Sequence, residues 1–128
     1  MQDGDLTKTV RVMLVEDHAA FRRGLAFILD REPELEVVAQ AGSLAEAREH
    51  AGSRSFDVAV TDLGLPDGTG TDLILALREI NPDVEILVLS ASLDWQNLAA
   101  AREAGAGEVL DKFATPGEIV GAVRRLGA

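Results

Sequence analysis

Cysteine is absent from the 128 residues, so a disulfide framework, a thiolate metal site and a thiol nucleophile are all excluded. Tyrosine is absent too and tryptophan occurs once, which holds aromatics to 4% and leaves Val, Leu, Ile and Ala to build the core. Basic residues are scarce: 12 Lys and Arg against 22 Asp and Glu leave a net charge of -10. Phosphate backbones and anionic membranes reward clustered Lys and Arg, so the chain itself is not expected to grip DNA, RNA or a membrane. A protein or a metal ion is the better partner. No apolar run approaches the roughly 20 residues that span a bilayer, and the N-terminus shows no signal-peptide pattern, so a cytoplasmic location is expected.

What is present alternates. The length suits one domain. Residues 1–9 are polar and aperiodic and read as a flexible extension, with the folded domain over 10–128. Short apolar runs at 10–15, 36–41, 57–62, 85–91 and around Val109-Leu110 read as strands, the first of them buried on both faces. Between them, Phe21, Leu25, Ile28 and Leu29 mark a helix over 19–31. Ser43 and Glu46 have capping-box spacing for a second helix reaching His50 and ended by Gly52. Leu73, Ile74, Leu77 and Ile80 carry the stripe of a third helix, stopped by Asn81-Pro82. A fourth spans about 94–104 with Asp94 as cap. A fifth starts at Thr115-Pro116-Gly117-Glu118 and reaches about Leu126. The segment 63–68, rich in Gly and Pro, reads as a long loop without helix or ladder. Strict alternation with right-handed crossovers predicts an α/β fold, a doubly wound five-stranded parallel sheet of order 2-1-3-4-5 with five helices.

In such a sheet the carboxyl ends of the strands share one edge. Four runs end there on Glu16-Asp17, Asp62, Ser90 and Lys112. Three carboxylates at one edge repel each other unless a cation sits among them, and Mg²⁺, a hard ion needing only one or two carboxylates and a carbonyl, resolves this. The loop after Asp62 can supply the carbonyl. Lys112 and Ser90 offer the charge and hydroxyl that phosphoryl oxygens require. Phosphoryl transfer depends on positioning and charge neutralisation, so a carboxylate nucleophile needs no dedicated base, and Asp62 is the central candidate.

At these residues the chain resembles the receiver domain of bacterial response regulators of two-component signalling, a flavodoxin-like fold. The resemblance covers 10–126 and rests on Glu16-Asp17, on Thr61-Asp62-Leu63-Gly64-Leu65-Pro66 through Gly70, on Leu89-Ser90-Ala91, and on Gly105-Ala106 followed by Leu110-Asp111-Lys112. It implies that a histidine kinase or phosphotransfer protein donates its phosphoryl group to Asp62. Mg²⁺ would be held by Asp17, Asp62 and the Gly64 carbonyl, with Glu16 acting through water, and Lys112 and Ser90 would hold the phosphoryl oxygens. Phosphorylation would reshape the face made by the fourth helix, fifth strand and fifth helix, through which a homodimer would form. The protein would be a signalling phosphoacceptor and no enzyme, promoting only its own phosphotransfer and slow autodephosphorylation. His18, Gly24-Leu25 and Leu89-Ser90-Ala91-Ser92 resemble receivers of helix-turn-helix transcription factors of the NarL/LuxR type, which implies transcription regulation with DNA reached only through a C-terminal domain. The chain is then either a stand-alone receiver or one cut from a longer regulator.

Some positions depart from the family pattern. Val109 stands where receivers often carry a switch aromatic, Phe113 follows Lys112 with no cis bond expected, and Gly64 leaves attacking water neither oriented nor blocked. One rival is a Mg²⁺-dependent phosphohydrolase of the haloacid-dehalogenase type, which wants a second Asp where Gly64 stands. The other is a pseudo-receiver that never carries phosphate, and the intact site disfavours it. The remaining polar and aromatic residues have plainer readings. His18 and His50 decorate helix ends, Arg22 and Arg23 are solvated charges, and Gly105 and Gly107 serve turn geometry. Trp95 is a packing residue or, on the output face, an interface residue.

Overall fold

A computed structural model describes residues 9–91 and 95–128. The expected extension falls outside the described residues except for Thr9, as do Asp94 and the side chain of Trp95. The elements follow as β1 Val10–Val15, α1 Ala19–Asp30, β2 Leu35–Ala41, α2 Leu44–Ser53 and β3 Val58–Asp62. Next come β4 Gly64–Leu65, β5 Gly68–Thr69, α3 Gly70–Ile80 and β6 Glu85–Ser90. The order closes with α4 Trp95–Ala104, β7 Glu108–Asp111 and α5 Pro116–Gly127. Five strands form one parallel sheet in the order β2-β1-β3-β6-β7, the expected topology once the small β4-β5 pair is counted.

The period-2 alternation of strand side chains divides the core into two layers. Val12 and Leu14 of β1 join Leu25 and Leu29 of α1 and Ile119 and Val123 of α5 on one face. Met13 and Val15 pack on the other face with Ala47 of α2 and Leu73, Ile74 and Leu77 of α3. Both faces of β1 and β3 are therefore covered, which is why their sequences are nearly continuous apolar runs. No helix among the described residues is long and apolar enough to cross a membrane.

Several local expectations are corrected. Gly52 does not stop α2, which runs on to Ser53. The Ser43 hydroxyl accepts from Glu46 N–H at 3.1 Å, but the Glu46 carboxylate turns to Gly42 N–H at 2.6 Å, so half of the expected box forms. The segment after Asp62 does contain a ladder, since Gly64 pairs with Thr69 and Leu65 with Gly68 in an antiparallel turn. Ile80 leaves the α3 stripe and is 43% exposed. By contrast α5 begins as read, with Pro116 in its first turn and a reciprocal Thr115–Glu118 box. Thr69 and Asp72 make a second such box at α3.

Two turns set the approach of helices to the sheet. Gly105 closes α4 at φ +119°, a conformation that favours glycine, with Ala106 N–H returning to Ala101 O at 2.9 Å. At Gly70 an added Cβ would lie 2.6 Å from Leu63 Cα and 3.0 Å from Asp62 O, so α3 starts pressed against the end of β3.

Candidate functional site

The carboxyl ends of β1, β3, β6 and β7 converge as topology requires, and the side chains there form one connected set. Asp62 is the last residue of β3, and its main chain is held by Thr61, whose buried hydroxyl donates to Asp62 O at 2.8 Å. Its carboxylate accepts on both oxygens. Leu63 N–H donates to Oδ1 at 2.7 Å and Lys112 Nζ to Oδ2 at 3.3 Å. A carboxylate offers about four lone-pair sites, so these bonds orient Asp62 and still leave acceptor capacity for a reacting group.

Lys112, just past β7, is 8% exposed and is the hub of the site. Its ammonium lies 2.6 Å from Glu16 Oε1, 3.4 Å from His18 Nδ1 and 4.9 Å from the centroid of the Phe21 ring. Burial pushes its pKa down, but the hydrogen bond to Glu16 and the charges of Asp62 and Glu16 outweigh this, and the pKa is raised. The Glu16 charge, 5% exposed, is thus matched by an internal cation. A lone buried carboxylate would be costly.

Glu16 is held elsewhere too. Its N–H donates to Ala41 O at 2.9 Å, Oε2 accepts from His18 N–H at 2.9 Å, and its carbonyl accepts from Arg22 Nη1 at 2.7 Å. Arg22 is therefore no solvated charge, which corrects the reading made from sequence. A helical side chain leans toward the helix N-terminus, and Arg22 in the opening of α1 leans toward the end of β1; that direction was the available signal. His18 is a second residue that sequence reasoning missed. Its Nδ1 lies 3.0 Å from Glu16 and 3.5 Å from Asp17, and ligand atoms of Glu16, Asp17 and His18 all lie within 4.8 Å of one another. Of the three carboxylates expected to cluster, Asp62 stands with Lys112, outside that group.

Asp62 also lines an open cleft of 410 Å³ with Gly64, Thr69, Gly70 and Ser90. Ser90, 4% exposed, ends β6, and its carbonyl accepts from Lys112 N–H at 2.9 Å, tying β6 to the residue that carries the ammonium. Nothing lies within 4 Å of a Cβ built on Gly64, so the cleft is unobstructed at that position. Val109 packs partly buried against the α2–α3 layer. No peptide bond among the described residues is cis.

The two carboxylates of this group suit a divalent cation. Two adjacent carboxylates and an imidazole are grouped together, and Asp17 among them is 39% exposed and can receive an ion. Nearby, the buried Lys112 ammonium is a donor of the kind that an anion of phosphate type favours.

Comparison with known proteins agrees with this geometry. The family model for the response regulator receiver domain matches residues 12–124. The chain is 40% identical over 119 residues to the DNA-binding transcriptional activator DevR/DosR of Mycobacterium tuberculosis, covering 93% of this chain and 55% of that protein. The signal receiver domain of the putative response regulator NarL from Mycobacterium tuberculosis superposes with a TM-score of 0.88 at 31% identity, covering 94% of this chain and 97% of that one. A response regulator from Burkholderia pseudomallei, solved with a phosphorylated aspartic acid, a calcium ion and citrate, superposes with a TM-score of 0.82 at 31% identity, covering 89% of this chain and 66% of that one. The chain spans about half the length of the curated relatives it matches.

Proposed function

The chain belongs to the response regulator receiver domain family, and on that premise we propose that residues 10–128 form a phosphoacceptor switch whose acceptor is Asp62. The observation that carries this reading is the Asp62 carboxylate, oriented by Leu63 N–H and Lys112 and facing an open cleft that Ser90 shares. The donor is the phosphohistidine of a histidine kinase or phosphotransfer protein. Asp62 attacks phosphorus, the new bond is Oδ–P, and the donor's N–P bond breaks with its electron pair returning to the imidazole.

Asp17, Asp62 and the Gly64 carbonyl would hold Mg²⁺, with Glu16 reaching it through water. When bound, Mg²⁺ neutralises charge on the phosphoryl oxygens. Lys112 would donate to the phosphoryl oxygens, and the Ser90 hydroxyl would hold one of them. Acyl phosphate formation adds roughly one negative charge where a carboxylate stood, and the Lys112–Asp62 contact must readjust. That local event drives the face of α4, β7 and α5, where a homodimer or an output partner engages. The molecule acts in the cytoplasm as a signalling acceptor and no turnover enzyme. It serves transcription regulation, touching DNA only through a further domain.

The test is labelling by acetyl phosphate with Mg²⁺. Intact-mass analysis should find one phosphoryl group, lost in Asp62→Asn and blocked by EDTA with the circular dichroism unchanged. Labelling that persists in Asp62→Asn overturns the assignment, and steady hydrolysis of a phosphomonoester would favour the phosphohydrolase reading.

A further inference from the structure

We propose that Arg22 is a positioning residue for the divalent cation: from α1 it clamps the Glu16 carbonyl and so sets the direction in which Asp17 presents its carboxylate. The inference rests on the reading of Asp17 as a cation ligand. Asp17 is the exposed carboxylate of the group, and its side-chain partner among the described residues is the His18 ring at 3.5 Å, too long for a strong hydrogen bond. Its orientation must come from the backbone. The Glu16 C=O and the Asp17 N–H belong to one rigid peptide plane, so fixing the carbonyl fixes the plane from which Asp17 departs.

Arg22 is built for that task. Nη1 donates to Glu16 O at 2.7 Å, while Nε donates to Gln40 Oε1 at 3.3 Å on β2, so the guanidinium is braced between the end of β1 and its neighbouring strand. A planar fork can hold both directions at once, which a lysine ammonium on a flexible stem cannot. Gly42 leaves the space, since a Cβ there would lie 3.1 Å from Nη1. The opposite side of the same residue is fixed independently, with Lys112 on Oε1 and His18 N–H on Oε2. Among the described residues, the Arg22 bond is the one that acts on the Glu16 carbonyl, in the plane that leads into Asp17.

The charge of Arg22 makes the inference decidable by sign. Removing a cation beside an acidic pair should tighten Mg²⁺ binding by Coulomb attraction alone. Removing a clamp should weaken it, and residues that orient metal ligands typically change affinity about tenfold or more. Isothermal titration calorimetry with MgCl₂ on the full chain is the measurement. Arg22→Met is expected to raise the Mg²⁺ dissociation constant about tenfold, and Arg22→Lys, which keeps the charge and loses the fork, to fall between it and wild type. Gln40→Ala, which removes only the outer brace, should weaken binding less. Equal or tighter binding by Arg22→Met with an unchanged melting curve overturns the proposal. If Arg22→Met does not fold, wild-type affinity in both Arg22→Lys and Gln40→Ala overturns it. A wild-type protein that binds no Mg²⁺ would refute the function proposed above and this inference with it, whereas normal wild-type binding unaltered by the variants refutes this inference alone.

Discussion

Lys112, at the end of β7, reaches the carboxylate of Glu16, at the end of β1, with 2.6 Å between Nζ and Oε1. The two residues lie on opposite sides of β3 and β6 in the sheet, so the pair closes the site across its full width. It is also a contact between buried groups, which makes it sensitive to removal of either partner.

Lys112→Met should therefore destabilise the fold by about 3 kcal/mol, because it leaves Glu16 charged and unmatched. Glu16→Gln in the same chain should recover part of the loss, so the double variant costs less than the sum of the singles. Urea unfolding of the cycle checks this, and strict additivity would show that the pair is uncoupled.

The raised pKa of Lys112 gives the same pair a pH signature. A group whose pKa rises on folding contributes fully below its unfolded value, here 10.5, and loses that contribution as pH climbs through the native value. The stability gap between wild type and Lys112→Met should hold steady from neutrality upward and narrow above 10.5. A gap that stays unchanged well above 10.5 would contradict the assignment.

Two glycines of the segment after Asp62 should respond oppositely to alanine. Gly70→Ala forces a methyl group to 2.6 Å from Leu63 Cα and should cost about 1–3 kcal/mol. Gly64→Ala meets nothing within 4 Å and should leave stability unchanged or raise it by about 0.5 kcal/mol. Chemical denaturation of both variants distinguishes them, and equal losses would mean that the close approach of α3 to β3 is not what Gly70 serves.

Asp67, in the turn between β4 and β5, accepts from Leu44 N–H at 2.7 Å and Ala45 N–H at 3.0 Å at the start of α2. These bonds hold its pKa below the ordinary 3.8, so its contribution is present above that value and is lost as pH falls through the native one. Asp67→Ala should lower the melting temperature at neutral pH and flatten the acid limb of stability below 3.8. An acid limb identical to wild type would remove Asp67 from this role.

The strands and the site edge were readable because β1, β3 and β6 are near-continuous apolar runs that lead into Glu16-Asp17, Asp62 and Ser90, and a parallel sheet leaves those ends one place to meet. Partners were not readable. In the structure Glu16 and Lys112 hold each other, a pairing across 96 positions that no local pattern encodes. Arg22 looked like any helix charge until the end of β1 lay beneath it. The β4-β5 ladder escaped notice because its two-residue strands contain Gly64 and Gly68, which read as turn residues by composition. Asn81-Pro82 marked where α3 stops, but Ile80 just before it points out of the stripe because the packed layer ends a turn earlier, at Leu77.

The cap that Asp67 places on α2 also bears on how the chain is made. Leu44 and Ala45 wait for a residue 22 to 23 positions further along before their N–H groups find an acceptor. On a ribosome adding residues one at a time, α2 emerges first and with part of its N-terminus unsatisfied. These two N–H groups thus gain their acceptor only once the segment that follows Asp62 has been synthesised.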